Sequence, residues 1–151
     1  MIKRIVALAV AGLVVSGIAV TGAVGKPARK KTTVTVNFTV TAASIGMQGS
    51  QSVYAGSVSD PNLGSGAVVY LISGGLAQTG TFTTWFSKGS VHGTFTVTVT
   101  PNADGTFTSS GTLTVTGGTA AYKGARGNLT NAGSIDKQHI AHPHITGKIK
   151  Y

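Results

Sequence analysis

The chain reads as an all-β protein, an eight-stranded antiparallel up-and-down barrel that follows an N-terminal signal peptide. Three observations carry that reading. From residue 32 onward apolar residues alternate with threonine and serine, as in Val34, Val36, Phe38 and Val40 set between Thr33, Thr35, Asn37, Thr39 and Thr41. Period two with β-branched and aromatic residues is the pattern of half-buried strands. Apolar residues at helical spacing occur only in the leader. Short turn-forming clusters then divide the body into eight runs, and strands so rich in Thr and Val and so poor in charge would be adhesive edges unless closed on themselves.

The N-terminus comes first. Lys3 and Arg4 precede an uncharged stretch from Ile5 to Gly25, with small-residue exits at Thr21-Gly22-Ala23 and Ala23-Val24-Gly25. A positive start, an apolar centre and a small-residue end define a secretory signal peptide. The competing role is a retained membrane anchor, because 20 residues from Ile5 to Val24 suffice to span a bilayer core. Gly12, Gly17, Gly22, Ser16 and Thr21 dilute that stretch and favour cleavage. The expected organisation is therefore a signal peptide over 1–25, a basic flank over 26–31 and a barrel domain over 32–151.

This division changes the meaning of the charge. The whole chain holds 12 Lys+Arg against 3 Asp+Glu, a net +9. Residues 1–31 hold six of those cations (Lys3, Arg4, Lys26, Arg29, Lys30, Lys31), which leaves 6 − 3 = +3 for the body. A nucleic-acid partner is not expected, since phosphate tracking needs basic residues clustered on the folded domain. The basic Lys26–Lys31 flank reads as a flexible linker, with weak electrostatic contact with an anionic envelope as its alternative role. The chain has no cysteine, so it carries neither a lipoprotein anchor nor disulfides, which suits a bacterial exported protein.

The strands follow in order. Runs near 33–42, 52–58, 67–73, 80–87, 90–100, 105–116, 121–130 and 139–151 are separated by turn clusters at Gly46–Gln51, Ser59–Gly66, Ser73–Gly80, Ser87–Ser90, Pro101–Gly105 and Gly117–Thr119, with a looser break at Asn131–Ser134. Pro101-Asn102-Ala103-Asp104-Gly105 is the clearest hairpin turn, with Pro presetting one φ and Gly free to take a positive one. Ala67–Ile72 is continuously apolar and is expected to be buried on both sides or near the barrel closure. Gly-Thr-(Phe/Leu)-Thr recurs at Gly80, Gly93, Gly105 and Gly111, at spacings too irregular for a propeller or solenoid. It reads as one recipe for consecutive strands: Gly to start or bend, Thr outward, Phe or Leu inward.

Chemistry has little material. With no Glu and no Cys, the acids are Asp60, Asp104 and Asp136, so paired-carboxylate and thiolate mechanisms are poorly supplied. His139, His142 and His144 form the one cluster of metal-ligand type; His142 and His144 share a strand face of solvent parity with no carboxylate at a ligand offset. Surface histidines are expected there, and neither metal nor cofactor. Ser90-Val91-His92 lacks an acid positioned to orient the imidazole, so no catalytic residue is assigned. Tyr54, Tyr70, Phe82, Trp85 and Phe86 are the candidate lining of an apolar ligand cavity, with plain packing as their competing role, since an eight-stranded barrel is just wide enough for either.

Gly117-Gly118-Thr119-Ala120-Ala121-Tyr122-Lys123-Gly124-Ala125-Arg126-Gly127 resembles the Gly-Gly-Thr-Gly-x-(Phe/Tyr)-x-x-Ala-(Arg/Thr)-Gly signature of dirigent proteins and the wider allene-oxide-cyclase-like barrel group. The resemblance implies an eight-stranded antiparallel barrel with a central cavity, in agreement with the strand count above. It covers about eleven residues plus the preceding Thr-rich strand, and Ala120 stands where the family usually has glycine. No catalytic residue carries over. The motif reads as structural: Gly117 and Gly118 a tight turn, Thr119 within it, Tyr122 an anchoring ring, and Gly124, Ala125 and Gly127 around Arg126 room for a bulge or a close strand approach. The expected function is an exported, non-enzymatic binding or structural module with a small apolar ligand as its candidate cargo. The alternatives are a dirigent-like protein that steers a cyclisation or coupling in the cavity, and an envelope-associated protein held by its N-terminal anchor or basic flank.

Overall fold

The structure, a computed structural model, describes residues 31–151. The expected signal peptide, and the expected basic flank up to Lys30, lie outside the described residues. Eight antiparallel strands follow one another: β1 (Thr33–Gln48), β2 (Gln51–Asp60), β3 (Gly64–Ser73), β4 (Ala77–Phe86), β5 (Gly89–Pro101), β6 (Phe107–Gly118), β7 (Arg126–Ile135) and β8 (Ala141–Lys150). Each pairs with its sequence neighbour, and β8 returns to β1 through Thr33↔Lys150, Phe38↔Ile145 and Ala42↔Ala141. The sheet is a closed barrel, so no strand is left as an edge.

Alternation in the sequence becomes inside and outside. Val36, Phe38, Val40 and Ala42 of β1 are buried while Thr35, Asn37, Thr39 and Thr41 are exposed. The same parity carries through the register: Phe38 opposes Ile145, Val40 opposes Val58, and Phe95 opposes Leu113, which in turn opposes Leu129. One core results, running from Val36 and Phe38 through Phe82, Phe86 and Phe95 to Leu129, Ile145 and Ile149.

The recurring Gly-Thr-Phe-Thr segments interlock. Gly80 of β4 opposes Phe95 of β5, and Phe82 of β4 opposes Gly93 of β5, so each ring lies over the other strand's glycine. A Cβ on Gly80 would stand 1.9 Å from the Leu71 carbonyl oxygen and 2.9 Å from Phe95 Cζ. One on Gly93 would meet the Thr114 carbonyl oxygen at 2.0 Å and Phe82 Cε1 at 3.0 Å. Glycine is required here because strand and ring both approach the inward surface too closely for a side chain, which lets the sheet curve tightly enough to close.

Four local expectations change, the first being the break at Asn131–Ser134, which lies inside β7. β7 begins at Arg126 rather than near 121, because Ala120–Tyr122 forms a short 3-10 turn that carries the chain across the barrel end. Gly117 and Gly118 are the last residues of β6, not a turn; a Cβ on Gly118 would strike the Tyr122 and Ser90 carbonyl oxygens. Ala67–Ile72 is not buried on both sides. Val68 is buried and Tyr70 and Ile72 turn inward, but Ala67 is exposed and Val69 and Leu71 are half-exposed on the outer wall.

Candidate functional site: a cavity at the open end

The two ends of the barrel differ. At one end meet the starts of the odd-numbered strands, the ends of the even-numbered ones and the 3-10 turn, and this end is plugged. Tyr122 is buried there, with its ring 6.1 Å from Phe86 and 5.1 Å from Tyr151, both edge-on, and Phe86 lies 5.8 Å from Phe38. The Tyr122 hydroxyl is pushed above the ordinary tyrosine range, first by burial and then by Tyr151 and Asp60. Thr119 ties the turn down: its Oγ1 accepts the Ser90 N–H at 3.0 Å and its own N–H donates to the Ser90 carbonyl at 2.9 Å. Ala120 takes φ +49°, a left-handed conformation that a residue with a Cβ holds at a cost.

Asp60 belongs to the same end. Its carboxylate is buried and accepts three backbone N–H groups, from Asn37 at 2.6 Å and from Asn62 and Leu63 at 2.8 Å. These bonds fasten the β2–β3 turn to β1. Both oxygens are occupied, so this acid is a structural clamp.

At the opposite end lies a cavity of about 80 Å³. Its walls come from the last inward residues of the odd strands and the first of the even ones, among them Ala42, Ile72, Val99, Ile135, Ala141 and Pro143. Small or short side chains at these positions leave the space that Phe and Tyr fill at the plugged end. Tyr54 and Tyr70 form an aromatic wall, and Phe95, whose ring meets Tyr70 edge-on at 5.8 Å, lies beside it. Burial pushes the Tyr70 hydroxyl well above the ordinary tyrosine range, so it remains a neutral phenol.

Polar groups are few and neutral: Gln78, Ser109, Asn131 and the two phenols. Asn131 is decisive. It is only 4% exposed, its Nδ2 donates to Ser109 Oγ at 3.3 Å, and its Oδ1 has no hydrogen-bond partner. An unpaired buried amide oxygen costs about 1–3 kcal/mol. Turning the amide about its axis exchanges which half is unpaired and leaves the count unchanged. No carboxylate, imidazole or amine lines the cavity.

The residues singled out from the sequence separate. Tyr54 and Tyr70 line the cavity, whereas Phe82 and Phe86 are buried in the packed core, Phe86 against the plug. Trp85 is 46% exposed on the outer wall, one position out of phase with both phenylalanines. Gly117, Gly118, Thr119, Tyr122, Gly124, Ala125, Arg126 and Gly127 all belong to the plugged end, far from the cavity lining. His139, His142 and His144 are exposed; His142 lies 3.2 Å from Asp136, His144 bonds Asn37 Oδ1, and His139 lies against Phe107. His92 is half-buried on the outer face over Gly117. Asn131 was missed because the segment after Thr130 reads as a turn, and Ser109 because a serine at an inward position of β6 gives no apolar signal. Extending the parity of Leu129 by one step would have placed Asn131 inside.

These features define a closed eight-stranded up-and-down barrel with one plugged and one hollow end. No family model matches the chain, and no curated protein does. Among solved structures, a pterocarpan synthase dirigent protein is similar at 14% identity, over 81% of this chain and 85% of that one, with a TM-score of 0.31. A likeness of that size carries nothing about what this chain binds or does; the barrel rests on its own eight registered strand pairs.

Proposed function

We infer that this protein is an exported binding barrel that takes the apolar end of a small hydroxyl-bearing molecule into its open end. The observation that carries the reading is the unpaired Asn131 amide in a mostly apolar cavity. A hydroxyl can donate to the amide oxygen or accept from the amide nitrogen, so it satisfies either orientation of Asn131. Size sets a second constraint. A dry cavity of about 150 Å³ accommodates benzene, and this one has about 80 Å³. The bound group is therefore slender, an alkyl or alkenyl end rather than an enclosed ring.

The mouth supports insertion from outside. Ile45 and Met47 near the end of β1, and Leu76 in the β3–β4 turn, are 66%, 64% and 55% exposed at this end of the barrel. An apolar rim continues the cavity outward and gives the rest of an amphiphile a surface to lie on. Export rests on the signal-peptide pattern of residues 1–25. With only neutral polar groups lining the cavity, the reading is one of holding a ligand, not of proton transfer.

The test is a titration with n-alkanols of increasing length and with the matching alkanes, followed by NMR. Alkanols are expected to shift the Asn131 side-chain amide and the Tyr54 and Tyr70 rings. They should outbind the alkanes by about 2–12-fold, the value of one net hydrogen bond. In Asn131→Leu that preference disappears. Equal binding of alcohol and alkane by the wild type, or shifts confined to the outer wall, overturns the reading.

A further inference from the structure

The folded barrel carries its charge at the end opposite the mouth. Seven Lys and Arg side chains fall within the described residues: Lys31, Lys88, Lys123, Arg126, Lys137, Lys148 and Lys150. Only Lys137 belongs to the mouth, where Asp104 and Asp136 also sit, in the β5–β6 and β7–β8 turns. The other six are at the plugged end or on the strand ends that lead to it. Lys31, Lys123, Arg126 and Lys150 surround one surface concavity, with Gly124 and Tyr151 completing it.

This grouping opposes the stability of the sheet. Arg126 and Lys150 are direct cross-strand partners on β7 and β8, and like charges in that position repel. Lys148 follows two residues along the same outer face, exposed like Lys150. No carboxylate side chain relieves the repulsion. The one salt bridge among the described residues, His142–Asp136, is at the other end, and Asp60 is committed to three backbone N–H groups. Even a main-chain carboxylate at Tyr151 would leave the group net positive. Arg126 spends one N–H on the Ala125 carbonyl at 2.7 Å and keeps its remaining donors.

We propose that this concavity is a binding site for phosphoryl groups, independent of the apolar cavity. A single carboxylate would offset only one of the clustered charges. A phosphate ester or diphosphate offers up to two or more negative charges and several acceptor oxygens in a compact unit, and a guanidinium flanked by ammonium groups is suited to hold it. The source is a free phosphorylated solute or the headgroup of an anionic lipid. Occupation from this end leaves the mouth open at the far end of the barrel.

Pyrophosphate is the soluble probe, titrated at low ionic strength with amide shifts followed by NMR; vesicles of phosphatidylglycerol against phosphatidylcholine are the lipid probe. Shifts are expected at Lys31, at 123–126 and at 148–151. The double variant Lys123→Gln/Lys150→Gln should weaken binding by about ten-fold or more, while Lys137→Gln at the mouth binds as the wild type does. Binding of pyrophosphate assigns a soluble phosphoryl ligand, and binding of phosphatidylglycerol vesicles alone assigns a lipid headgroup; both support the site. A second readout needs no ligand: Lys150→Gln should melt at or above the wild-type temperature, because the repulsion with Arg126 is gone. Failure of both probes to bind, equal weakening by Lys137→Gln, or a lower melting temperature for Lys150→Gln overturns the proposal.

Discussion

The plugged and hollow ends are built from the same strands by the same alternation, yet they do opposite things with their inward positions. At the plugged end these positions hold Phe38 and Phe86, and the 3-10 turn adds Tyr122 from outside the strands. At the hollow end they hold Ala42, Ser109, Asn131 and Ala141, too small to meet across the barrel. The plugged end spends its polar residues on backbone: Asp60 clamps a turn and Thr119 clamps β5. The hollow end leaves an amide oxygen unpaired. The difference teaches where stability and function separate in this barrel, since an unsatisfied buried group persists at a cost that a bound partner can offset.

Truncating an aromatic residue at each end tests this contrast most strongly. Phe86→Ala should cost about 3–5 kcal/mol in a urea melt, as buried Phe truncations do. Tyr54→Ala, beside an existing cavity and half-exposed, should cost less than half as much. Equal losses would mean the ends are packed alike, and the contrast would fail. Next comes Asp60→Ala, which strands three backbone N–H groups that now have a partner. A loss of about 3 kcal/mol is expected, together with faster amide exchange at Asn37, Asn62 and Leu63.

At the hollow end the sign reverses. Asn131→Leu removes the unpaired amide and fills part of the cavity, so the urea midpoint should rise by the equivalent of about 1 kcal/mol even as alcohol binding is lost. A clear fall in stability would show that Asn131 is structural. A smaller gain is expected at the plug. Ala120 holds φ +49° without glycine's freedom, and Ala120→Gly should add about 0.5 kcal/mol, since the relief of left-handed strain exceeds the entropy glycine loses on folding.

The pH responses should also separate the ends, with the smallest effect at the mouth. Asp136 is held below the ordinary carboxylate range, chiefly by the Ile140 N–H and then by His142 and the Gln138 N–H. A depressed value means its stabilisation is present above the unfolded range, near pH ~4. That stabilisation is lost as pH falls through the lower folded value. Amide exchange at Gln138 and Ile140 should therefore quicken in acid. Tyr122 responds in the opposite direction. Its hydroxyl is raised, so the folded state loses stability as pH climbs above the tyrosine range near ~10. Exchange at Gln138 and Ile140 that stays slow in acid, or a plug that loosens no more than the mouth as pH climbs, would contradict these assignments.

Much of this architecture was legible in the residues, for a physical reason. Strand parity is a local property, so Val34–Val40 and Phe95–Val99 could be turned inward from the chain alone, and so could the Gly-Thr-Phe-Thr recipe of β4 and β5. Where parity and punctuation conflict the reading fails. Asn131 and Gly133 look like a turn, yet both are inward residues of β7, held in register by β6 and β8. Ala67–Ile72 looks buried on both sides, yet a single-layer barrel has only one inside, so Val69 and Leu71 face out. Tyr54 could be picked out with Trp85 as an aromatic residue, but only the register shows that the first lines the cavity and the second faces outward.

An all-β chain, the parity of most strands, the scarcity of acid–base chemistry and the excess of basic residues at the N-terminus all follow from the residues alone. Alternation, turn chemistry and composition act over a few residues, so they can be read without coordinates. Which barrel end is plugged, the clamp at Asp60, the burial of an unpaired Asn131 and the pairing of Arg126 with Lys150 emerge only once the strands are assembled. Each of these depends on residues from different strands meeting across the closed sheet, and closure is a property of the whole ring.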